Sequence, residues 1–313
     1  MAAVNARLNR PERIRMAFKR CWILYLMIIP VVAYYVIFHY LPMAGLVIAF
    51  KDYRVARGIL GSKWVGLRNF EFFFRSQDCW RVMRNTIGYS VTFLVMDVVF
   101  GVLLAVLCYN LKSQKALKVY HTTIILPKFM SPVIIAYIVY ALLSPASGVV
   151  NNLIAAFGGQ KINWYAEYKY WPFILVVTHI WQTVGMNSVV YYASLVGLDA
   201  SLLEAAELDG ANRVQKVWHV MVPHLTGVIV VLTILGIGNI FSGDFGLFYQ
   251  VTKDQGVLYP TTDIINTYTF RALMGGSMEK SAAVGLFQSA AGCFMVVITN
   301  LIVRRISPEN SLF

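Results

Sequence analysis

Acidic residues are scarce in this chain of 313 residues: 15 Asp and Glu stand against 27 Lys and Arg, for a formal net charge of +12. Charged residues of both signs make up only 13%, against 58% apolar ones, which leaves too little polar surface to cover a water-soluble globule. The basic balance does not point to nucleic acid, because the cations lie in segments between apolar stretches and not on one soluble face. Cysteine is nearly absent. Cys21, Cys79, Cys108 and Cys293 lie far apart and mostly at or within apolar stretches, which excludes a disulfide framework or a thiolate metal site and makes them packing residues. No Gly is followed by Lys anywhere, so the chain has no Gly-x-x-x-x-Gly-Lys-Ser/Thr loop to cradle nucleotide phosphates. The five His show no metalloprotease spacing, and no carboxylate pair sits in an apolar stretch for acid–base work. An enzymatic reading therefore has no residues to carry it. Tandem repeats, linkers and low-complexity runs are also missing.

What is present is apolar sequence in lengths that match a bilayer. A helix needs about 20 mainly apolar residues to cross the hydrocarbon. Roughly 22–41, 86–109, 120–143, 171–194, 222–242 and 283–303 qualify. The fold class expected is all-α: a polytopic membrane protein of about six transmembrane helices, with a basic segment 1–21 followed by a single domain over 22–313. Arg7, Arg10, Arg13, Arg15, Lys19 and Arg20 precede the first stretch, which by the positive-inside rule places the N-terminus in the cytoplasm. That stretch is long for a signal h-region and lacks a cleavage site after it, so it is expected to stay as an anchor. Six crossings return the C-terminus to the cytoplasm, in accord with Lys112, Lys115 and Lys118 in one inner loop and Arg304 and Arg305 at the end of the last stretch.

One outer segment breaks the charge rule. Lys51, Arg54, Arg57, Lys63, Arg68, Arg75, Arg81 and Arg84 face only Asp52, Glu71 and Asp78, a net excess of five positive charges on the external side. Such a field, with Arg54, Arg57 and Lys63 at its head, would concentrate a polyanion; contact with anionic lipid head groups accounts for it equally well. Two connections, 144–170 and 242–281, are expected as folded outer loops, the first with a short helix near Asn151 to Phe157.

The polar stretch between the fourth and fifth crossings organises the rest. Ala200–Leu208 consists of good helix formers, Asp199 or Ser201 is placed to cap it, and Glu204 and Glu207 are acidic near its N-terminal half. Gly210 is expected to end this helix in the left-handed conformation and let a second one leave from Ala211 to about Val222. Leu202, Leu203 and Ala206 share a face of the resulting knuckle, which needs a partner to cover it. A helix lying on lipid would carry Lys or Arg rather than Glu204, Glu207 and Asp209.

Polar residues within the crossings cost free energy in lipid and so face a cavity or another helix. Asp97 and Lys128 are expected to pair between the second and third crossings as structural glue, with a role in transport as the other reading. The richest set is His179, Trp181, Gln182, Asn187, Ser188, Tyr191 and Tyr192 in the fourth, with Asn239, Gly236 and Gly238 in the fifth. Aromatic rings mixed with amides suit sugar hydroxyls and apolar sugar faces; helix packing through small residues and amide hydrogen bonds is the other reading.

The knuckle closely resembles the cytoplasmic loop of permease subunits of bacterial ABC importers, which reads Glu-Ala-Ala, three residues, Gly, nine residues, Ile, one residue, Leu-Pro. Glu204, Ala205, Ala206, Gly210 and Pro223 stand at those offsets, with Val220 and Val222 in place of Ile and Leu. Val65-Gly66-Leu67-Arg68-Asn69-Phe70, followed by Phe72, Phe73, Phe74 and Trp80, is similar to the amphipathic lead-in before the second span of sugar-importer permeases, its aromatics suiting the interface belt. Asp263 to Tyr268, then Arg271, then Ser281 to Ser289 resembles the subgroup that handles complex oligo- and polysaccharides, including alginate and uronate-containing oligomers. The resemblance implies a maltose-importer-like core in the bacterial cytoplasmic membrane and a second permease subunit, a different chain, completing the pore. It also implies an external solute-binding protein and a homodimeric cytoplasmic ATPase that carries ATP and Mg. The ATPase would dock on Glu204, Ala205, Ala206, Glu207, Asp209, Gly210 and Pro223, and the substrate path would run by Trp181, Gln182, Asn187, Tyr191 and Asn239. An ion-coupled secondary sugar transporter and a membrane-embedded glycan-processing enzyme are the alternatives.

Overall fold

The computed structural model describes residues 10–306, with side chains from 22 to 305. Arg7, the side chains of the other basic residues up to Arg20, Cys21 and the last seven residues lie outside the described part. By compactness the chain divides into residues 1–69 and 70–313, so the first crossing groups with the segment that follows it.

In the first unit, α1 (Arg10–Tyr35) contains Pro30 and continues through a π-helical turn, Val36–Tyr40, and a 3-10 run, Ala44–Phe50. The apolar helical stretch Trp22–Phe50 therefore passes Pro42, where a stop was expected. A short hairpin follows at once. Two-residue strands β1 (Lys51–Asp52) and β2 (Lys63–Trp64) pair antiparallel with Lys51 opposite Trp64. Buried Asn69 fixes this hairpin by donating its amide to the carbonyls of Ala49 and Lys51, both at 2.9 Å.

The second unit begins at the end of α2 (Arg68–Phe74) and holds α3 (Gln77–Tyr109), started by the Ser76 hydroxyl accepting from the Cys79 amide. Phe72, Phe74 and Trp80 are exposed as an interface belt requires, but Phe73 is buried against Val82, Ile265 and Val284. The third crossing is not the straight helix expected over 120–143. It consists of α4 (Gln114–Ile125), a 3-10 turn Leu126–Phe129, and α5 (Pro132–Leu143), bent by 101°. Pro127 and Pro132 remove backbone donors, and the Ser131 hydroxyl starts α5 afresh by accepting from the Ile134 amide, so the second arm leaves in its own direction. Among the described residues five helices are long and apolar enough to cross a membrane, and six crossings result when the bent pair counts as one.

After α6 (Val149–Ala156), in the expected place, come α7 (Trp171–Val196), α8 (Ala200–Leu208), α9 (Val222–Gly238), α10 (Ile265–Met274) and α11 (Met278–Ile306). Fully buried Asn151 ties the outer loop together: its amide donates to the Ile162 carbonyl at 2.8 Å, and its oxygen accepts from the Ile162 amide and the Trp164 indole. The core lies where α3, α5 and α7 meet the π-helical turn Leu247–Val251 that follows α9, with Tyr89, Ile135, Trp171, Leu175 and Phe248 buried together. Helix α7 comes so close to α4 that a Cβ at Gly185 would stand 1.8 Å from the Ile124 carbonyl oxygen. Of the cysteines, Cys108 is buried as a packing residue should be, Cys79 is half-buried, and Cys293 is exposed.

Candidate functional site

The knuckle is built from local contacts. Asp199 caps α8, its carboxylate accepting from the Ser201 amide at 3.0 Å, and that contact holds its pKa below the usual carboxylate range. The helix closes at Gly210, which has φ +80°; the Ala211 amide donates to the Ala206 carbonyl and the Gly210 amide to that of Glu207, satisfying two of the carbonyls a helix end leaves open. Asn212 and Gln215 then form a reciprocal capping box over Arg213–Lys216. This turn runs through a π-helical stretch, Val217–Met221, straight into α9, so the expected second helix of the knuckle is the lower end of the fifth crossing, Arg213–Gly238. Lys216 spans the two arms with an ion pair to Glu207 at 3.0 Å, and its cation holds the Glu207 carboxyl below its usual range.

The face expected to await a partner is arranged differently. Leu203 turns inward against the cluster of Ala105, Tyr191 and Leu195, and Ala206 is half-buried. Leu202 and Leu208 are the exposed apolar residues, Leu208 at 89%. Glu204, Ala205, Glu207, Asp209 and Gly210 all reach the surface.

Within the helices of the second unit lies a cavity of about 540 Å³, walled by α3, the turn at Lys128, α7, α9 and the segment from Ser242 to Ile264. Tyr89, Phe93 and Asp97 line it from α3 at intervals of four residues, and His179, Thr183 and Asn187 from α7 at the same interval. Asn239, at the end of α9, lines it as well. The Asp97 carboxylate accepts from the Thr183 hydroxyl at 2.7 Å and lies 3.3 Å from His179 Nε2, while the His179 ring stacks on Phe93 with centroids 3.8 Å apart. Asp97 is thus tied to α7, not to Lys128 as expected, because the break after α4 takes Lys128 off the helical register that a straight third crossing would give it.

Of the path residues expected from sequence, Asn187 and Asn239 line the cavity. Gln182 and Tyr191 are buried elsewhere at 9% and 2% exposure, and Trp181 is 42% exposed away from the cavity wall. The Tyr191 ring fills the space left by the missing side chain of Gly101, 2.9 Å from where a Cβ would be. Thr183, Tyr89 and Phe93 were not anticipated, although the four-residue spacing of 89, 93 and 97 on one helix carries their signal.

The charge excess of residues 51–84 is smaller than the count suggests. Arg81 pairs at 2.9 Å with both Asp78 and the fully buried carboxylate of Asp263, which Arg271 also contacts. Arg84 donates to the Pro260 carbonyl at 2.8 Å, Arg75 pairs with Glu71 and Arg54 with Asp52. Among the described residues Arg57, Lys63 and Arg68 are exposed without a carboxylate partner. Asp263, an acid that the expectation left out, answers Arg81, so the unbalanced charge rests on Arg57, Lys63 and Arg68, with Arg54 paired to Asp52.

A bent third crossing, a folded loop after it and an acid-flanked knuckle between the fourth and fifth crossings are the marks of an importer permease of the ABC class. Residues 97–308 match the binding-protein-dependent transport system inner membrane component, and the chain belongs to that family of multi-pass membrane proteins. It is 35% identical over 288 residues, 92% of this chain and 89% of the relative, to the polygalacturonan/rhamnogalacturonan transport system permease protein YteP of Bacillus subtilis (strain 168). To Protein LplB of that organism it is 33% identical over 297 residues, 94% and 92% of the two chains. A crystal structure of a bacterial ABC transporter involved in the import of the acidic polysaccharide alginate matches with a TM-score of 0.86 at 31% identity, over 94% of this chain and 99% of that one. A bacterial alginate ABC transporter in complex with alginate pentasaccharide-bound periplasmic protein gives 0.85 over 94% and 98%.

Proposed function

We propose that this permease forms half of the pore of an ATP-driven importer for acidic oligo- or polysaccharides of the uronate type. The observation that carries this is the cavity of about 540 Å³, which sets amides of Asn187 and Asn239, the rings of Tyr89 and Phe93 and the cation of Lys128 around one space inside an apolar bundle. Amides serve sugar hydroxyls, aromatic rings serve apolar sugar faces, and a cation serves a carboxylate. The named substrates of the relatives, polygalacturonan and alginate, support the same class.

In this reading the chain works with a second, different permease subunit, a homodimeric ATPase and an external solute-binding protein. ATP and Mg belong to the ATPase, which hydrolyses the nucleotide on the cytoplasmic side, where both termini also lie. Glu204, Ala205, Ala206, Glu207, Asp209 and Gly210 would seat in the ATPase, with Pro223 at the foot of α9, and carry its closure to α9, which forms one wall of the cavity. Arg57 and Lys63, with Arg54, would draw the polyanion toward the outer face by a field that fades with salt.

Reconstitution with these partners in proteoliposomes tests the assignment. ATP-dependent uptake of a uronate oligosaccharide is expected, with neutral oligosaccharides carried poorly. Uptake driven by an ion gradient without ATP would favour the secondary-transporter reading and overturn this one. For the outer segment, neutralising Arg54, Arg57 and Lys63 together should lower acidic uptake at low salt and matter little at high salt; equal loss for a neutral sugar would point to lipid head groups or assembly instead.

A further inference from the structure

Lys128 is a cation of the cavity that no carboxylate among the described residues pairs with. It sits on the turn Leu126–Phe129 at the break of the third crossing, beside buried Pro127, and its exposed side chain lines the cavity. Two acids line the same space, and both are engaged elsewhere. Asp97 holds the Thr183 hydroxyl and faces His179, and Asp244 accepts from the Leu247 amide at 2.9 Å, starting the π-helical turn Leu247–Val251. Among the described residues Lys128 has neither an ion pair nor a hydrogen bond. An ionisable side chain at membrane depth is costly and finds a partner inside the bundle or marks a transport path. Here the break in the helix removes the partner that a straight crossing would have supplied.

We propose that Lys128 is the specificity-determining residue of the cavity, receiving the carboxylate of each uronate unit as it passes; this rests on the reading of the chain as a permease for acidic glycans. Lysine fits that task better than arginine. Its ammonium is a point charge on a flexible stem with three rotatable donors, so it can follow a carboxylate along the path, whereas a guanidinium fork fixes one in a bidentate geometry. Asn187 and Asn239, on the same wall set, are placed to take up hydroxyls while the charge is held.

The test compares wild type, Lys128→Gln and Lys128→Arg in the complete transporter, purified, trapped with its ATPase closed and washed free of binding protein. Binding of a radiolabelled uronate oligosaccharide is measured beside its carboxyl-reduced, neutral counterpart. Lys128→Gln is expected to weaken the acidic ligand by roughly tenfold or more, the scale of one charge-assisted contact, and to leave the neutral one unchanged. Lys128→Arg should retain most of the acidic binding. Copurification of the partner subunits and the ATPase rate stimulated by loaded binding protein show that each variant is assembled. Equal weakening of both ligands, or none, overturns the role of Lys128 while leaving the permease reading intact. A lowered yield of complex with no selective loss overturns it as well, since it assigns Lys128 to a carboxylate of the partner permease. If wild type binds neither ligand, the acidic-glycan reading falls first and takes this proposal with it.

Discussion

The knuckle and the cavity are held together by different kinds of contact. Around Gly210 the ion pair of Lys216 with Glu207 spans nine residues and the Asn212–Gln215 box three, whereas the hydrogen bond from Thr183 to Asp97 spans 86 and the His179–Asp97 contact 82. A segment closed on itself keeps its form when the helices around it move. A cavity whose wall is shared by three helices, the turn at Lys128 and the segment after α9 changes form whenever one of them shifts. The difference fits a machine in which a stiff tip pushes and a compliant chamber responds.

The largest expected effect would break the chamber outright. In Gly185→Ala the new methyl meets the Ile124 carbonyl oxygen, α7 has to back away from α4, and overpacking of about 3 kcal/mol or more is expected. Thermal unfolding of the detergent-purified complex should show a lowered midpoint and poor yield; a wild-type midpoint would mean that the close approach of these helices is dispensable.

Next is the tip. No atom lies within 4 Å of a Cβ built on Gly210, so Gly210→Val is penalised through the backbone alone, by about 1–2 kcal/mol in the left-handed region. Transport should be lost while the subunits still copurify, and Gly210→Asn, which tolerates that conformation, should restore much of it. Normal transport by the valine variant would show that the angle between α8 and the lower end of α9 does not matter.

A subtler measurement separates cavity from core. Asn187→Cys and Asn239→Cys should react with a water-soluble thiol reagent, faster in one nucleotide state than in the other, while Gln182→Cys and Tyr191→Cys should stay protected in both. Labelling of all four positions alike would erase the distinction between the chamber and the packing around it.

The smallest effect is expected at Glu207. Lys216 holds the folded-state pKa of this carboxyl below its ordinary value, so the contact stabilises the knuckle above the unfolded pKa, near 4.3, and is lost as pH falls through the lowered folded value. Since the carboxylate is exposed, Glu207→Gln at neutral pH should leave thermal stability indistinguishable from wild type. A lowered unfolding midpoint would show that the Lys216 ion pair holds the knuckle together.

The same contrast explains what could be read in the sequence. The bounds of α8, the cap at Asp199, the left-handed turn at Gly210 and the short helix of the outer loop follow from neighbours in the chain, and residue types alone locate them. The pairing of Asp97 with His179 and Thr183 depends on which faces of two distant helices meet, and one sequence does not contain that rotation. Tyr191 is instructive here. It shares α7 with Asn187 and has the composition of a path residue, yet the missing side chain of Gly101 on α3 receives its ring, and only the packing of the two helices decides between pore and core. The bend at Lys128 was legible in Pro127 and Pro132, but a stretch of apolar residues long enough for one crossing masked it.

That bend has a bearing on how the protein is made. The α-helical arms on either side of it have 12 residues each, about 18 Å of helix at 1.5 Å per residue. The hydrocarbon slab is about 30 Å thick, so neither arm reaches across alone. The first arm is therefore expected to be secured in the membrane only once the second arm and α7, which it meets at Gly185, have been made. Chains truncated after Phe129 should leave the first arm open to added protease, and chains extended past Val196 should protect it.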